Sequence, residues 1–179
     1  LSKEELIELG VAFSQNEDLK SNFAGKIIIP LYNNSSQLIY FLAWDYKGEG
    51  DIKYTFPSGW SKPAVGDLKE GTIVVEGVFD YLILTQSSFN SIPVLGSNLS
   101  KQQREDLSRL DRFYIMLDGD EAGRKASILI GEEFCTTSKI ITLDQGVDPN
   151  DFYIQSDNVL LKHRRSYVTD CPLVLVEAL

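Results

Sequence analysis

The chain has 179 residues, of which 43% are hydrophobic and 24% charged, a balance that is typical of a folded globular domain and excludes a disordered or fibrous chain. No apolar run approaches the roughly 18 to 20 residues that a membrane-spanning helix needs, so we expect no membrane protein. The net charge of −9 argues mildly against nucleic-acid binding, although a cation-binding carboxylate cluster would be acidic by itself.

The first 66 residues are predicted to form a small, mostly antiparallel unit that contains both helix and strand. A helix is expected over 3–9. Strands with turn-forming Asn, Ser and Gly residues between them are expected over 26–32, 38–46 and 52–56. Pro30 predicts that the first of these strands lies near a sheet edge. Residues 57–71 are rich in Gly, Pro and Ser, which favours a linker.

From residue 72 onward, apolar runs alternate with helix-forming segments. Strands are predicted over 72–76, 92–95, 113–118 and 139–143. Helices are predicted over 78–88, 100–110 and 121–134, with a short one after Asp148. Repeated βα units imply a parallel sheet with right-handed crossovers. We therefore expect an α/β fold in three parts, with an amino-terminal subdomain over 1–66, a parallel-sheet domain over 67–155 and a carboxy-terminal extension over 156–179.

Two of the apolar runs stop at a carboxylate that is followed by a glycine. The first run leads to Glu76, with Asp80 in the first helical turn, and the second leads to the pair Asp118 and Asp120. Ligands bind in open α/β sheets at the carboxyl ends of the strands, so we expect these four side chains to converge. Hard oxygen ligands of this kind suit Mg²⁺ or Mn²⁺ and phosphate chemistry.

Each of the neighbouring polar residues has a structural alternative beside its functional one. Asp80 pairs favourably with a helix dipole, and helix capping alone explains Asp148. Arg124 and Lys125 suit phosphate neutralisation beside a metal site, or a salt bridge to a nearby glutamate. These alternatives stay open at the level of the residues alone.

Several other kinds of site are not supported by the sequence. His163 is the only histidine and lies in a basic run, which argues against a histidine-activated nucleophile. There is no P-loop, and Cys135 and Cys171 are too far apart in the chain for a CxxC zinc motif, so we expect free thiols in a reducing cytosol. The first residue is Leu1 rather than Met, as expected of a fragment of a longer protein.

The carboxylate motifs and their order resemble a known domain. The set Glu76-Gly77-x-x-Asp80, Asp118-Gly119-Asp120-x-Ala122-Gly123 and Asp148-Pro149 is similar to the toprim domain of primases, topoisomerases and some nucleases. The string Asp-Gly-Asp-Glu-Ala-Gly-Arg-Lys-Ala and the segment Leu95-Gly96-Ser97 look most like the primase branch. Residues 72–153 carry this resemblance strongly, and segments 23–31 and 53–57 resemble more weakly the RNA-polymerase core of bacterial and phage primases.

The resemblance implies a DNA primase catalytic core, which makes short RNA primers on single-stranded DNA by metal-dependent nucleotidyl transfer. It implies catalytic roles for Glu76, Asp118 and Asp120. It implies that Mg²⁺ or Mn²⁺ is held by Glu76, Asp80, Asp118, Asp120 and Asp148. It implies that nucleotide or template phosphate is contacted by Lys26, Lys53, Arg124 and Lys125.

The same resemblance implies partners and a location. Nucleoside triphosphates and a single-stranded DNA template would be bound, and a replicative helicase would be contacted through regions outside this chain. The protein would work in the cytoplasm at the nucleoid and replication fork, and a phage or mobile element could encode it.

Two other functions remain open from the sequence. A toprim nuclease or hydrolase would use the same carboxylates on water instead of a 3′-hydroxyl group. A nucleic-acid-binding toprim module without catalysis is favoured by the acidic balance and by two departures from the primase pattern, at Trp44 and around Phe56.

Overall fold

A computed structural model describes residues 12–13, 23, 25–33, 35–48, 51–66, 68–96, 98–155 and 168–170. The chain divides into two compact units, 1–61 and 62–179, so the boundary lies ahead of the one expected after residue 66. The helix expected over 3–9 and most of the extension over 156–179 lie outside the described residues. No helix in the described part of the chain is both long enough and apolar enough to cross a membrane.

The first unit contains an antiparallel sheet, as the sequence predicted. Its strands, in the sheet order β1-β2-β3-β4, are β1 (Ala12–Phe13), β2 (Ile27–Tyr32), β3 (Leu38–Trp44) and β4 (Tyr54–Thr55). The sequence did not predict the two-residue β1, which makes β2 an internal strand. With β1 as the edge strand, β2 lies one strand in from the edge, in line with the expectation that the strand of Pro30 lies near an edge.

The second unit contains the predicted βα alternation. Its strands are β5 (Thr72–Val75), β6 (Ser91–Pro93), β7 (Phe113–Ile115), β8 (Ser138–Ile141) and β9 (Val168–Asp170). Its helices among the described residues are α1 (Val78–Gln86), α2 (Lys101–Leu107), α3 (Glu121–Glu133) and α4 (Pro149–Gln155). The sheet order is β6-β5-β7-β8-β9; the first four strands run parallel, and β9, which the sequence did not predict, pairs antiparallel with β8.

The core of this unit consists of two apolar clusters, and β5 contributes to both. Val74 belongs to a cluster that also contains Leu107 of α2 and Ile130 of α3. Ile73 and Val75 belong to a second cluster, against which residues of α1 and α4 pack. Successive side chains of a strand point to opposite faces, so β5 is covered on both sides and reads as a continuous apolar run.

The observed strands end earlier than the predicted ones at the carboxyl edge of the parallel sheet. The strand predicted over 113–118 ends at Ile115, and Met116 and Leu117 continue as buried loop residues. Asp118 therefore lies in the loop beyond β7, whereas Glu76 directly follows β5. Met116 still donates its N–H to the Val74 carbonyl over 2.8 Å, so the backbone link to β5 reaches one residue beyond the strand.

Candidate functional site

The loop after β5 carries Glu76, which is half-buried, and α1 then begins with Asp80 in its first turn. Asp80 is only 7% exposed. Its Oδ2 accepts a hydrogen bond from the Gly77 backbone N–H over 3.1 Å, and its Oδ1 accepts one from the Asn150 N–H over 3.2 Å. Asp80 thus contacts the amino ends of two helices, α1 and α4.

The loop after β7 carries Asp118 and Asp120 in different environments. Asp118 is half-buried, and its Oδ1 is buried with no hydrogen-bond partner among the described residues. Asp120 is exposed and caps α3, since its Oδ1 accepts a hydrogen bond from the Gly123 N–H over 2.7 Å. An oxygen that is buried without a donor is costly for the protein alone, so the Oδ1 of Asp118 is a candidate to bind a cation.

The loop after β8 brings Asp148 to the same edge of the sheet. Gly119 donates its N–H to the Val147 carbonyl over 2.8 Å, and Gly146 donates to the Gly119 carbonyl over 3.2 Å. Asp148 then caps α4 by accepting a hydrogen bond from the Asp151 N–H at its Oδ1 over 2.6 Å. The loops after β7 and β8 are therefore joined, with Asp118 in one and Asp148 in the other.

We call the five residues Glu76, Asp80, Asp118, Asp120 and Asp148 the carboxylate cluster. Burial raises the pKa of Asp118 to about 7, and the other four carboxylates add to the rise. Burial also raises the pKa of Glu76, with further contributions from Asp120 and Asp80. Burial and then Asp148 raise the pKa of Asp80, against the opposing effect of its backbone N–H donors. Mutual repulsion of this kind acts at short range, so the other four groups lie near Asp118; the strand-end pattern had predicted this for all of them except Asp148.

The cluster fits a hard divalent cation in its chemistry. All its donor atoms are carboxylate oxygens, which Mg²⁺ and Mn²⁺ prefer, and the unpartnered oxygen of Asp118 is one that a cation would satisfy. Among the residues that the structure describes, no three His, Cys, Asp or Glu side chains are grouped closely enough to form a ready-made metal site. Asp80, Asp120 and Asp148 instead direct an oxygen to backbone N–H groups. Binding would therefore require some of these side chains to rotate.

Arg124 and Lys125 follow the cluster on the first turns of α3 and differ in their contacts. The Lys125 Nζ lies 2.6 Å from Glu121 Oε1 in an exposed ion pair, in line with the salt-bridge alternative. Arg124 lines a depression of about 190 Å³ whose wall also includes Asp118 and Gly119. Arg124 is exposed and lines the same depression as Asp118, and it forms no ion pair within the described ranges.

Lys26 and Lys53 belong to the first unit, and their contacts are known only within it. Lys26 Nζ donates a hydrogen bond to the Thr55 hydroxyl, and thereby links the start of β2 to β4. The Lys53 side chain lies over the Tyr54 ring, with 5.3 Å from its Nζ to the ring centroid. Contact of either lysine with phosphate stays a prediction.

Lys62 is a basic residue that the sequence analysis did not single out. Its Nζ lies where a Cβ on Gly96 would approach it to 2.8 Å, and Gly96 follows Leu95, whose N–H donates to the Glu76 carbonyl over 3.0 Å. The Lys62 carbonyl accepts a hydrogen bond from the Ser100 hydroxyl over 2.5 Å, and burial lowers the pKa of its ammonium group. The sequence analysis assigned 57–71 to a linker, so it did not anticipate that residues from 62 onward belong to the second unit.

Comparison with known proteins agrees with this geometry. Residues 73–153 match the Toprim-like family. The chain is 28% identical to a DNA primase of Helicobacter pylori, in an alignment that covers 99% of this chain and 34% of the relative. It is 32% identical to a DNA primase of Chlamydia pneumoniae, over 82% of this chain and 29% of the relative. The chain thus spans about a third of the length of these curated relatives.

A solved DnaG primase catalytic domain bound to single-stranded DNA has the same fold. The TM-score is 0.70 at 17% sequence identity, with 94% of this chain and 68% of that chain covered. The matched share includes both units, so the likeness extends beyond the parallel sheet to the antiparallel one.

Proposed function

Since residues 73–153 form a toprim domain of the kind found in bacterial DNA primases, we propose that this chain is the catalytic core of a primase. The reaction is nucleotidyl transfer, in which a 3′-hydroxyl attacks the α-phosphorus of a nucleoside triphosphate and pyrophosphate leaves. The product is a short RNA primer on a single-stranded DNA template. The carboxylate cluster carries this proposal, and above all Asp118, whose buried Oδ1 has no protein donor among the described residues.

Members of the carboxylate cluster, foremost Glu76 and Asp118, would hold Mg²⁺ or Mn²⁺ at the carboxyl edge of the sheet, next to the proposed path of the triphosphate. Such a cation supplies charge neutralisation for the triphosphate and for the charge that develops as phosphorus–oxygen bonds break and form. Glu76 and Asp118 form no side-chain hydrogen bond within the described residues. A cation could therefore bind their oxygens without displacing a hydrogen-bond donor of the protein. The raised pKa of Glu76 also suits it to accept the proton of the attacking hydroxyl group.

Basic residues on the two sides of the cluster would contact the phosphates. Arg124 lies beside Asp118 along the α3 side, and Lys62 lies beside Gly96 on the β6 side. Lys26 and Lys53 of the first unit and the paired Lys125 are secondary candidates for contacts with nucleotide or template.

The partners and location follow from the same proposal. The template is single-stranded DNA, to which the solved DnaG catalytic domain is bound, and the substrates are nucleoside triphosphates. A replicative helicase would be bound outside this chain, and the work would be done in the cytoplasm at the replication fork. The net charge of −9 opposes binding of the template phosphates, so a bound divalent cation should raise the template affinity.

The experiment is primer synthesis on single-stranded DNA with labelled nucleoside triphosphates and Mg²⁺ or Mn²⁺, beside the Asp118→Asn variant. We expect short RNA products from the wild-type chain and none from the variant. A parallel lane with labelled DNA reports cleavage. Cleavage without synthesis would favour a toprim nuclease, and neither product, with metal still bound, would favour a binding module.

A further inference from the structure

Asp80 lies in the carboxylate cluster, yet its contacts differ from those of Glu76 and Asp118. We propose that Asp80 is a positioning residue: its carboxylate fastens the amino end of α4 to that of α1 and so fixes the place of Asp148, without itself binding the metal. This role rests on the proposed function in one respect only, which is that the carboxylate cluster is the site where the metal binds.

Each oxygen of Asp80 accepts a hydrogen bond from a backbone N–H, one three residues away and the other 70 residues away in the chain. Oδ2 accepts the Gly77 N–H at the start of α1, and Oδ1 accepts the Asn150 N–H in the first turn of α4. With 7% exposure, the carboxylate sits between the two helix ends. The positive ends of two helix dipoles therefore favour the same negative charge.

The contact with Asp80 satisfies the one backbone N–H in the first turn of α4 that Asp148 does not satisfy. Pro149 has no N–H, and the N–H groups of Asp151 and Phe152 are satisfied by the Asp148 side chain and carbonyl. The Asn150 N–H is the remaining donor, and Asp80 is its partner. A helix of seven residues is not stable alone, so its place is set by such tertiary contacts.

Asp148 is the residue whose place this contact determines. As the N-cap of α4 it moves with the first turn of that helix. Its other tether is the neighbouring Val147 carbonyl, which accepts the Gly119 N–H. Loss of the Asp80 contact would remove the hydrogen bond that holds the first turn of α4 to α1 and leave that turn to the apolar packing of Val147 and Phe152, so the geometry of the cluster would loosen.

The first test measures hydrogen exchange of the wild-type chain with and without Mg²⁺. If Asp80 is the fastening group, the Asn150 and Gly77 amides stay protected when Mg²⁺ binds. If Asp80 is instead a metal ligand, its oxygens turn to the cation, the Asn150 amide exchanges faster on Mg²⁺ addition, and the proposal is overturned.

The second test is a double-mutant cycle with Asp80→Asn and Asp148→Asn. Asparagine keeps the shape but accepts a hydrogen bond at only one of the two positions, so we expect amides in 149–155 to exchange about tenfold faster, while those of β5 keep their rate. Mn²⁺ affinity by calorimetry should fall about tenfold in the wild-type background and stay nearly unchanged in the Asp148→Asn background, because Asp80 acts through Asp148. An equal fall in both backgrounds would show direct ligation.

None of these readouts needs primer synthesis. A chain that shows the expected exchange but makes no primer would overturn the proposed function and leave the role of Asp80 intact. A chain that makes primers but shows additive losses in the cycle would overturn the role of Asp80 alone.

Discussion

The backbone N–H of Gly119 donates to the Val147 carbonyl over 2.8 Å, which ties the residue between Asp118 and Asp120 to the residue before Asp148. Two segments of the carboxylate cluster are thus connected by main chain and not by side chains that could rotate. The spacing of Asp118 and Asp148 is therefore a property of the fold, and a change at this joint should displace both carboxylates.

Gly119→Ala should separate the two loops. A Cβ on Gly119 would lie 2.0 Å from the Asp144 carbonyl oxygen, so one loop must move. We expect a loss of about 3 kcal/mol in the free energy of unfolding and loss of metal binding, since overpacking against rigid backbone is poorly relieved. Gly146→Ala is the control: its Cβ would meet nothing within 4 Å, and only its φ of +78° is strained, so about 1 kcal/mol is expected. Equal losses in denaturant unfolding would contradict the steric argument.

Asp118→Asn should make the metal-free chain more stable while abolishing metal binding. The substitution removes one of five mutually repelling carboxylates that burial already disfavours in the charged form. After allowance for solvent screening of a half-buried group, the gain should be on the order of 1 kcal/mol at neutral pH. Thermal unfolding in chelator and calorimetry with Mn²⁺ check the two effects. A less stable variant would mean that the Asp118 charge supports the fold.

Two variants at Asp120 should distinguish its role as a helix cap from a role in metal binding. Asn caps a helix as well as Asp does, whereas Ala does not, so Asp120→Ala should be about 1 kcal/mol less stable than Asp120→Asn. Both variants should lose Mn²⁺ affinity to a similar degree if the carboxylate is a ligand. If Asp120→Asn retains wild-type affinity, Asp120 is a cap and nothing more.

The stability of the metal-free chain should fall as the pH rises toward neutrality. The pKa of Asp118 is about 7 in the folded chain against an ordinary value of 3.8, so between these values the folded form holds a proton that the unfolded form has lost. The stabilisation of the folded chain by this proton on Asp118 is fully present below about pH 4 and is lost above about pH 7. We expect the difference in unfolding temperature between pH 5 and pH 8 to shrink in Asp118→Asn. Mn²⁺ affinity of the wild type should rise over the same window, since the cation displaces the proton.

Lys62→Gln should weaken nucleotide binding without disturbing the metal. We expect the KM for nucleoside triphosphate to rise about tenfold, in the range for one charge-assisted contact, with Mn²⁺ affinity unchanged. Lys101→Gln is the matched control, because that side chain is 91% exposed and pairs only with Glu105 in the described structure. Similar KM changes in both variants would indicate general electrostatics instead of a contact by Lys62.

Much of the second unit could be predicted because its strands are covered on both faces. A strand such as β5, buried throughout, appears in the sequence as an uninterrupted apolar run that stops at Glu76. The ends were less predictable: Met116 and Leu117 are apolar and buried, yet the strand ends at Ile115. An apolar run in the sequence predicts which residues are buried, but it does not predict where the strand hydrogen bonds end.

The site was predicted in its composition but not in its internal division of roles. The sequence indicated that the carboxylates converge, because strand ends meet at one edge. It did not reveal that Asp80 faces Asn150, since that contact joins residues 70 positions apart. It also missed Lys62, whose place depends on hydrogen bonds from Ser100 and Gln103 to the carbonyls of Lys62 and Pro63.

The joined loops also bear on how such a chain can vary in length during evolution. The turn between β2 and β3 is closed by Asn33, whose Oδ1 accepts hydrogen bonds from the backbone N–H groups of Ser35 and Gln37. An insertion there lengthens only the turn. An insertion between Leu143 and Asp148 would shift the carbonyl that Gly119 binds, so drift in loop length should accumulate at the turn and remain almost absent after β8.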